Sequence, residues 1–420
     1  MEDKHKQLVL KLPNSISFSK LLHDLFLLLP FICILIAEAV AIQNEDIGSA
    51  IKAGVVLYMF LFVVARGKFP NMFFKVFLLF LPFFIWSLFV SFDYRAALSE
   101  GFRYLFPLIA LVYGYAIRKK AHRLILYFIF FVVLNDLWQI INYINWSRGV
   151  TQWFYRFKWD GNRGYFQSNG MIRATGLVVF FGLFGFINLI AFFITKQFYK
   201  GKQKKFLLWL FAISIFLSFS YKTIGAFLAI LFFESKNKLK LVGGMLVTLI
   251  AAILIIPKQV VVFWDNLVLR VKFYITEGNS ARAESYRVMF EDIKEFNLLG
   301  RGIGSFGGPS SVAYNSPVYG EVGYDWYETP HLTTTDTYFP HLFVEMGLFG
   351  GLAYLLVIFS PVILRVRISK KIQVVYYIYF AMIFDALFSY ALNNLSFVLV
   401  SLVWIYPLLY LSRQKSVYDS

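Results

Sequence analysis

The polar stretches of this chain carry side chains that suit phosphate binding. Two such stretches, about 145–173 and about 258–339, separate long apolar runs; they contain Arg148, Arg156, Lys158, Arg163, Arg173, Arg270, Lys272, Arg282, Arg287 and Arg301. Arginine binds phosphate oxygens through two parallel hydrogen bonds and stays charged when partly desolvated. The cations therefore indicate a site for a phosphate-bearing ligand. The alternative is that they are solvated, or paired with acids such as Glu284, Glu291 and Asp292.

Four charged residues lie at the edge of apolar runs or inside them. Arg173 lies where a polar stretch meets the next apolar run, and an arginine at that depth normally needs an anionic partner. Lys222 lies at the tip of a tight turn between two apolar runs. Asp136 and Asp385 lie within such runs, where a functional role and structural hydrogen bonding are equal alternatives.

Acid–base chemistry has its candidates near the end of the second polar stretch, at His331, Asp336, His341 and Glu345. On a helix His341 and Glu345 are four residues apart, so they would share one face. The sequence contains no pair of histidines at metal-ligand spacing and no run rich in aspartate. This pattern disfavours a metal-dependent reaction.

The segment 282–296 predicts an amphipathic helix, because its apolar residues recur at helical spacing; they are Tyr286, Met289, Phe290, Ile293 and Phe296. The glycines that follow match the dinucleotide-binding fingerprint literally, from Gly302 to Gly307. They follow a helix-like segment and do not open a strand–helix unit, so we reject that interpretation. We expect these glycines to allow tight turns and close approach of the backbone to a ligand or a neighbouring helix.

Composition places these segments in a membrane protein. The 420 residues are 59% hydrophobic and only 15% charged, whereas soluble domains carry about 25% charged residues. Apolar runs such as 50–65, 124–144 and 174–195 recur along the chain, which predicts an all-α transmembrane bundle of about 12 spans. The single cysteine, Cys33, excludes an intrachain disulfide. The net charge of +17 falls mainly in short loops, where topology explains it better than nucleic-acid binding.

Basic clusters occupy every second loop, and both termini belong to this basic set. The positive-inside rule therefore predicts cytoplasmic termini and places both long polar stretches on the opposite side. The expected division is an N-terminal bundle part at 1–257, a large extracytoplasmic loop with short amphipathic helices at 258–340, and a C-terminal bundle part at 341–420. The sequence has no convincing internal repeat, which weighs against repeat-built transporters.

Three motifs carry a resemblance to a known family. The first is Arg173-Ala-Thr-Gly176, and the second is Arg282 followed by Tyr286 and, further on, by Gly300-Arg-Gly302-Ile-Gly304. The third opens at Thr335-Asp336 and closes on Glu345-Met-Gly347-Leu-Phe-Gly350. With these motifs in this order and on this predicted side, the chain resembles the O-antigen ligase and O-antigen polymerase family of bacterial polysaccharide assembly.

Two departures distinguish the chain within that family. Ligases typically carry a histidine nine residues before the motif glutamate, and this chain has Asp336 there, as polymerase-type members often do. His341 is out of register with that histidine by five residues. Lys222 stands where members often carry an arginine, a change that keeps the charge and loses the bidentate geometry. The resemblance thus favours a polymerase.

The resemblance implies a metal-independent glycosyltransferase of the bacterial inner membrane that needs no cofactor. It would join oligosaccharide repeat units carried on polyprenyl diphosphate, at the outer face of that membrane. Arg173 and Arg282 are expected to stabilise the leaving diphosphate. Arg287 and Lys222 would support them, and Asp336 would accept the proton of the attacking sugar hydroxyl. Further substrate-binding residues are expected to be Arg301, His341 and His331.

Two alternatives remain at this point. One is an O-antigen ligase that transfers the lipid-linked glycan to lipid A core or to protein. The other, from a different class, is a transporter or flippase for lipid-linked glycans. The expected partners are the lipid-linked donor and acceptor and membrane lipids; a chain-length regulator protein and a flippase are further candidates, and no nucleic acid is expected.

Overall fold

The computed structural model describes residues 18–41, 44–148, 167–168, 171–178, 180–255, 257–272, 280–324, 334–363 and 372–417. Most of these residues are helical. The helices are α1 Phe18–Ala41, α2 Glu45–Arg66, α3 Asn71–Phe89, α4 Tyr94–Ile117, α5 Ala121–Ser147, α6 Phe181–Phe198, α7 Lys204–Leu217, α8 Tyr221–Glu234, α9 Lys238–Ile255, α10 Pro257–Val271, α11 Ala281–Lys294, α12 Pro309–Ala313, α13 Val318–Glu321, α14 Tyr338–Ile363, α15 Gln373–Ala386, α16 Leu395–Ser401 and α17 Ile405–Val417. Two short strands, β1 Gln167–Ser168 and β2 Met171–Ile172, pair antiparallel.

The chain is an all-helical membrane protein. Among the described residues, seven helical stretches are long and apolar enough to cross a membrane: Phe18–Ala41, Glu45–Arg66, Asn71–Phe89, Tyr94–Asn145, Phe181–Phe198, Tyr338–Ile363 and Leu395–Arg413. The stretch Tyr94–Asn145 has 52 residues and consists of α4 and α5, joined by the 3-10 turn Arg118–Lys120. A crossing needs about 20 residues, so this stretch is long enough for two. The predicted fold class is confirmed at this level.

The described residues form two apolar cores. The larger core contains residues of α1 to α8 and of α14 to α17. In it the centroid of the Tyr354 ring lies 5.2 Å from that of Phe80 and 5.5 Å from that of Tyr104. A smaller core lies under α11 and consists of Val288, Met289, Phe306, Val318, Tyr319, Tyr324 and Val344. The smaller core binds the segment 280–324 to the start of α14, so this segment is packed on the bundle.

The predicted helix over 282–296 is present as α11, and its apolar stripe is divided. Met289 is buried, and Tyr286 and Ile293 pack partly buried against the smaller core. Phe290 and Phe296 are 55% and 80% exposed. Ser280 begins the helix, because its hydroxyl accepts the Ala283 N–H at 3.2 Å and satisfies one of the donors that a helix start leaves unpaired.

The glycine-rich segment 300–308 and α14 interlock through their backbones. Gly347 interrupts α14 with φ of 67°, and its neighbours' carbonyls therefore become available to other donors. Val344 O accepts the Arg301 N–H at 2.9 Å, and Glu345 O accepts the Gly302 N–H at 3.0 Å. A Cβ on Gly347 would lie 2.3 Å from Leu298 O, so only glycine permits this approach. The expectation of tight turns and close backbone approach to a neighbouring helix is confirmed.

Candidate functional site

Arg282 and Asp336 form an ion pair at the start of α11. Arg282 Nη2 lies 3.1 Å from Asp336 Oδ2. The Asp336 side chain is 60% exposed and that of Arg282 is 26% exposed. Since exposed pairs contribute only about 0.2–1 kcal/mol to stability, this pair is not needed to hold the fold. An exposed carboxylate fixed beside a guanidinium can accept a proton from one ligand group while the cation stabilises a negative charge on another.

Hydrogen bonds between buried hydroxyl groups hold the segment that carries Asp336 against α11. The Ser285 hydroxyl donates to Arg282 O at 2.8 Å, and Ser285 Oγ lies 2.8 Å from Thr337 Oγ1. A hydroxyl has one proton, so Thr337 is the donor in the second bond, and Thr335, 3.1 Å away, donates to Thr337 in turn. Asp336 lies between these two buried threonines with a left-handed φ of 55°, which turns its side chain outward.

Lys222 pairs with Asp385 close to α11. Lys222 Nζ on α8 lies 3.1 Å from Asp385 Oδ1 on α15, and Ser389 also donates to this carboxylate. Two residues after Asp385, the Leu387 carbonyl accepts the Tyr286 hydroxyl of α11 at 2.8 Å. Burial raises the pKa of Tyr286 to about 12, so its hydroxyl stays protonated as the donor. The Lys222–Asp385 pair is thereby joined to the helix that carries Arg282.

Arg173 joins the same group of elements from the other polar stretch. Its guanidinium carbon lies 4.5 Å from the centroid of the Phe181 ring, and the residue is buried. The next residue, Ala174, donates its N–H to Leu217 O at 2.8 Å at the end of α7. Lys222 follows Leu217 by five residues. Direct contacts thus connect the Arg173 segment to the turn that bears Lys222, and from there to α15 and α11.

Arg287 and Arg301 are engaged in ion pairs within the segment 280–324. Arg287 pairs with Glu284 and Glu291. Arg301 holds Asp292 through Nε at 2.9 Å and Nη2 at 2.7 Å, and its Nη1 lies 3.0 Å from Glu321. The hydrogen bond to Asp292 raises the pKa of Arg301. Both arginines show the ion pairing that was the alternative to phosphate binding, so a role in substrate binding would require these pairs to break; it stays a prediction.

Several sequence candidates have other placements. Asp136 accepts a hydrogen bond from Asn188 Nδ2 at 3.0 Å, a structural contact between α5 and α6. Arg148 and Lys272 are exposed. Other candidates lie outside the residues or side chains that the structure describes, namely Arg156, Lys158, Arg163, Arg270 and His331.

His341 lies in a fully buried polar cluster at the start of α14. Its Nδ1 lies 2.6 Å from the Phe306 carbonyl, which can only accept, so Nδ1 carries a proton. Its Nε2 lies 3.5 Å from Glu100 Oε1 and 3.5 Å from Glu345 Oε2. All three ionisable side chains are 0% exposed. His341 and Glu345 do share a face, and the burial of both means that a ligand would reach them only after rearrangement.

The cluster ties four parts of the chain together. Glu345 accepts the Phe306 N–H at 3.1 Å and the Tyr104 hydroxyl at 3.0 Å. Glu100 accepts the Tyr390 hydroxyl, and Asn393 Nδ2 lies 3.1 Å from His341 Nε2. The sequence did not predict the partners of His341 and Glu345 in this cluster, which are Glu100, Tyr104, Tyr390 and Asn393. One signal was available, since Glu100 and Tyr104 are four residues apart at the start of an apolar run.

In the part of the chain that the structure describes, no group of three or more histidine, cysteine or acidic side chains is arranged to hold a metal ion. No protein-family model matches the chain, and no curated protein or solved structure matches it either. The family resemblance therefore rests on the motifs Arg173–Gly176, Arg282–Gly304 and Thr335–Gly350.

Proposed function

We propose that this protein is a polysaccharide polymerase of the O-antigen type, a glycosyltransferase of the bacterial inner membrane. It joins oligosaccharide repeat units carried on polyprenyl diphosphate, at the outer face of the membrane. The chain crosses the membrane about 12 times, with both termini in the cytoplasm and the segment 258–340 on the extracytoplasmic side. The observation that carries the proposal is the exposed Arg282–Asp336 pair, to which contacts connect Lys222 and the Arg173 segment.

The pair can act on both sides of a glycosyl transfer. Asp336 accepts the proton of the attacking sugar hydroxyl while the new bond forms from that oxygen to the anomeric carbon of the donor. The bond from the anomeric carbon to the diphosphate breaks on the opposite side, with inversion, and the diphosphate leaves with its electron pair. Protonation neutralises Asp336, so the Arg282 guanidinium becomes available to the charge that develops on the leaving group.

Lys222 and Arg173 supply further positive charge for the diphosphate. Lys222 is 22% exposed and is held by Asp385, which fixes the ammonium in place. Arg173 belongs to a segment that is hydrogen-bonded to the end of α7 and to α5, where Gln139 Oε1 accepts the N–H groups of Thr175 and Gly176 at 2.9 Å each. These contacts support the expectation that the two polar stretches lie on one side of the membrane and contribute to one site.

The sharpest test compares Asp336→Asn with Glu321→Gln. Glu321 is a matched control, because its carboxylate is 56% exposed and lies 3.0 Å from an arginine of the same segment. We expect Asp336→Asn to lower the rate of chain extension by about 100-fold or more, the usual contribution of a general base, and Glu321→Gln to change it less than about threefold. Purified protein with lipid-linked repeat units gives the rate from the length of the product. Equal rates for the two variants would exclude Asp336 as the base.

Deletion of the gene distinguishes the three activities. Loss of long chains, with single units still attached at the cell surface, is the result expected for a polymerase. Loss of all attachment would identify a ligase. Purified protein that lengthens lipid-linked units in detergent would exclude a flippase, since a flippase forms no glycosidic bond. Arg173→Ala and Arg282→Ala should each abolish chain extension while the protein still inserts in the membrane.

A further inference from the structure

The described residues form a second candidate site, an open pocket at the surface that shares no residue with the Arg282–Asp336 site. A cavity of about 410 Å³ lies between the α2–α3 turn and the end of α4, and it is lined by Gly67, Lys68, Phe69, Asn71, Phe74 and Tyr115. Ligand pockets in proteins commonly measure about 300–1,000 Å³, so the cavity is large enough for a small polar group. Its lining combines an ammonium, an amide and a phenol hydroxyl with two phenylalanine rings.

Two arginines adjoin residues that line this cavity, one through contacts and one in the chain. The carbon of the Arg118 guanidinium lies 3.4 Å from the centroid of the Tyr115 ring, and Nη1 of Arg118 donates to Tyr115 O at 2.5 Å. These contacts fix a positive charge on a residue that lines the cavity. Arg66 immediately precedes Gly67, and its guanidinium carbon lies 5.0 Å from the centroid of the Phe62 ring. Aromatic stacking holds both charges without neutralising them.

No acid accompanies these cations in the sequence. Residues 47–92 contain neither aspartate nor glutamate, and residues 101–135 contain none. Asp24, an acid that the structure brings to the start of α5, pairs with Arg123 at 3.0 Å. The cavity is therefore a concentration of positive charge that attracts an anion.

The side chains around the cavity suit an anionic lipid better than a free anion, because they include exposed apolar groups. Phe69 and Phe74 are 43% and 50% exposed. Phe74 belongs to α3, one of the membrane-spanning candidates, and only 22% of its apolar window is buried in the protein. The open apolar face of α3 can therefore lie along acyl chains while the cavity at its start receives a head group. A free phosphate would leave these rings without a partner.

We propose that this cavity binds the phosphate head group of an anionic membrane lipid. Lys68 and Arg118 contact the phosphate, and Asn71 and Tyr115 add neutral donors. The acyl chains lie against Phe74 and the exposed face of α3. The basic turns lie on the predicted cytoplasmic side, where anionic lipids attract lysine and arginine. This proposal is independent of the glycosyltransferase activity.

Purified full-length protein can be titrated in detergent with phosphatidylglycerol and with phosphatidylcholine, and bound lipid counted by native mass spectrometry. We expect phosphatidylglycerol to bind preferentially, Lys68→Gln to weaken it about fivefold, and Lys68→Gln with Arg118→Gln to weaken it about 25-fold. Lys68→Arg should retain binding. Lys205→Gln is the matched control, because Lys205 is an exposed lysine of another basic cluster, at the start of α7.

Each remaining result of this experiment would overturn the proposal. Equal binding of the two lipids would show that charge does not select the ligand. An equal loss in Lys205→Gln and Lys68→Gln would show a general surface attraction. Complete displacement of the lipid by millimolar inorganic phosphate would identify a small-anion site. Loss of monodisperse protein in Lys68→Gln but not in Lys68→Arg would show that the charge supports folding and not lipid binding.

Discussion

Replacing Gly347 by alanine should separate the glycine-rich segment from α14. Gly347 has φ of 67° and ψ of −179°, a region that only glycine occupies readily, so alanine costs about 1–3 kcal/mol in backbone strain. Its Cβ would lie 2.3 Å from Leu298 O and 2.4 Å from Gly300 N, and rigid backbone atoms cannot yield. Relief of this clash breaks the bonds from Arg301 N to Val344 O and from Gly302 N to Glu345 O, each worth about 0.5–1.5 kcal/mol.

The expected total for Gly347→Ala is therefore about 2–6 kcal/mol. Gly323 is the matched control, because its φ is 59° but a Cβ there meets nothing within 4 Å. Gly323→Ala should cost only the left-handed strain, about 1–2 kcal/mol. Thermal unfolding of the detergent-solubilised variants, followed by tryptophan fluorescence, measures the difference. If both variants unfold at the same temperature, the backbone contacts with α14 do not hold the segment 300–308 in place.

Three further substitutions separate positioning from stability. Thr337→Val removes the bond to Ser285 and should slow chain extension about tenfold. It also leaves the buried Thr335 hydroxyl without its acceptor, at a cost of about 1–3 kcal/mol in stability, whereas Thr337→Ser should keep both the initial rate and the unfolding temperature. Tyr104→Phe leaves one oxygen of the buried Glu345 carboxylate without its donor and should lower the free energy of unfolding by about 1.5–3 kcal/mol in thermal or denaturant unfolding. Lys222→Met leaves Asp385 buried and unpaired at a cost of about 3–5 kcal/mol. Adding Asp385→Asn should restore stability but not chain extension, and recovery of both would limit Lys222 to a structural role.

The helices were the part of the fold that the sequence predicted best, because an apolar run of spanning length is a strong local signal. The runs 50–65 and 124–144 lie within α2 and α5. The run 174–195 did not predict its helix start, since α6 begins only at Phe181. The residues before it are held in a non-helical path, with Gly176 at φ of 57° and its N–H bound to Gln139, a residue on another helix. Hydropathy contains no information about such a contact.

The candidate site was predictable by residue type and not by partner. The sequence identified Arg282, Asp336 and Lys222 as candidates from their position between apolar runs. It could not show that Arg282 pairs with Asp336, 54 residues away, or that Lys222 pairs with Asp385, 163 residues away. These pairs follow from how the helices pack. The contacts within the buried cluster were still harder to predict from the sequence, because the hydrogen bond from Tyr390 to Glu100 joins residues 290 positions apart.

Backbone hydrogen bonds connect the buried cluster around His341 to the segment that carries Asp336. Gly307 O accepts the Thr335 N–H at 3.1 Å, and the preceding carbonyl, of Phe306, accepts Nδ1–H of His341. Asp336 therefore lies on a short segment, 335–341, whose two ends are bound to two adjacent carbonyls, one at each end. A Cβ on Gly307 would lie 3.0 Å from both Thr335 Oγ1 and His341 Cβ, so the glycine lets the segment pack closely. In the proposed reaction Asp336 would need no reorganisation, because burial of His341 and Glu345 beneath this segment holds the carboxylate in place before the substrate binds.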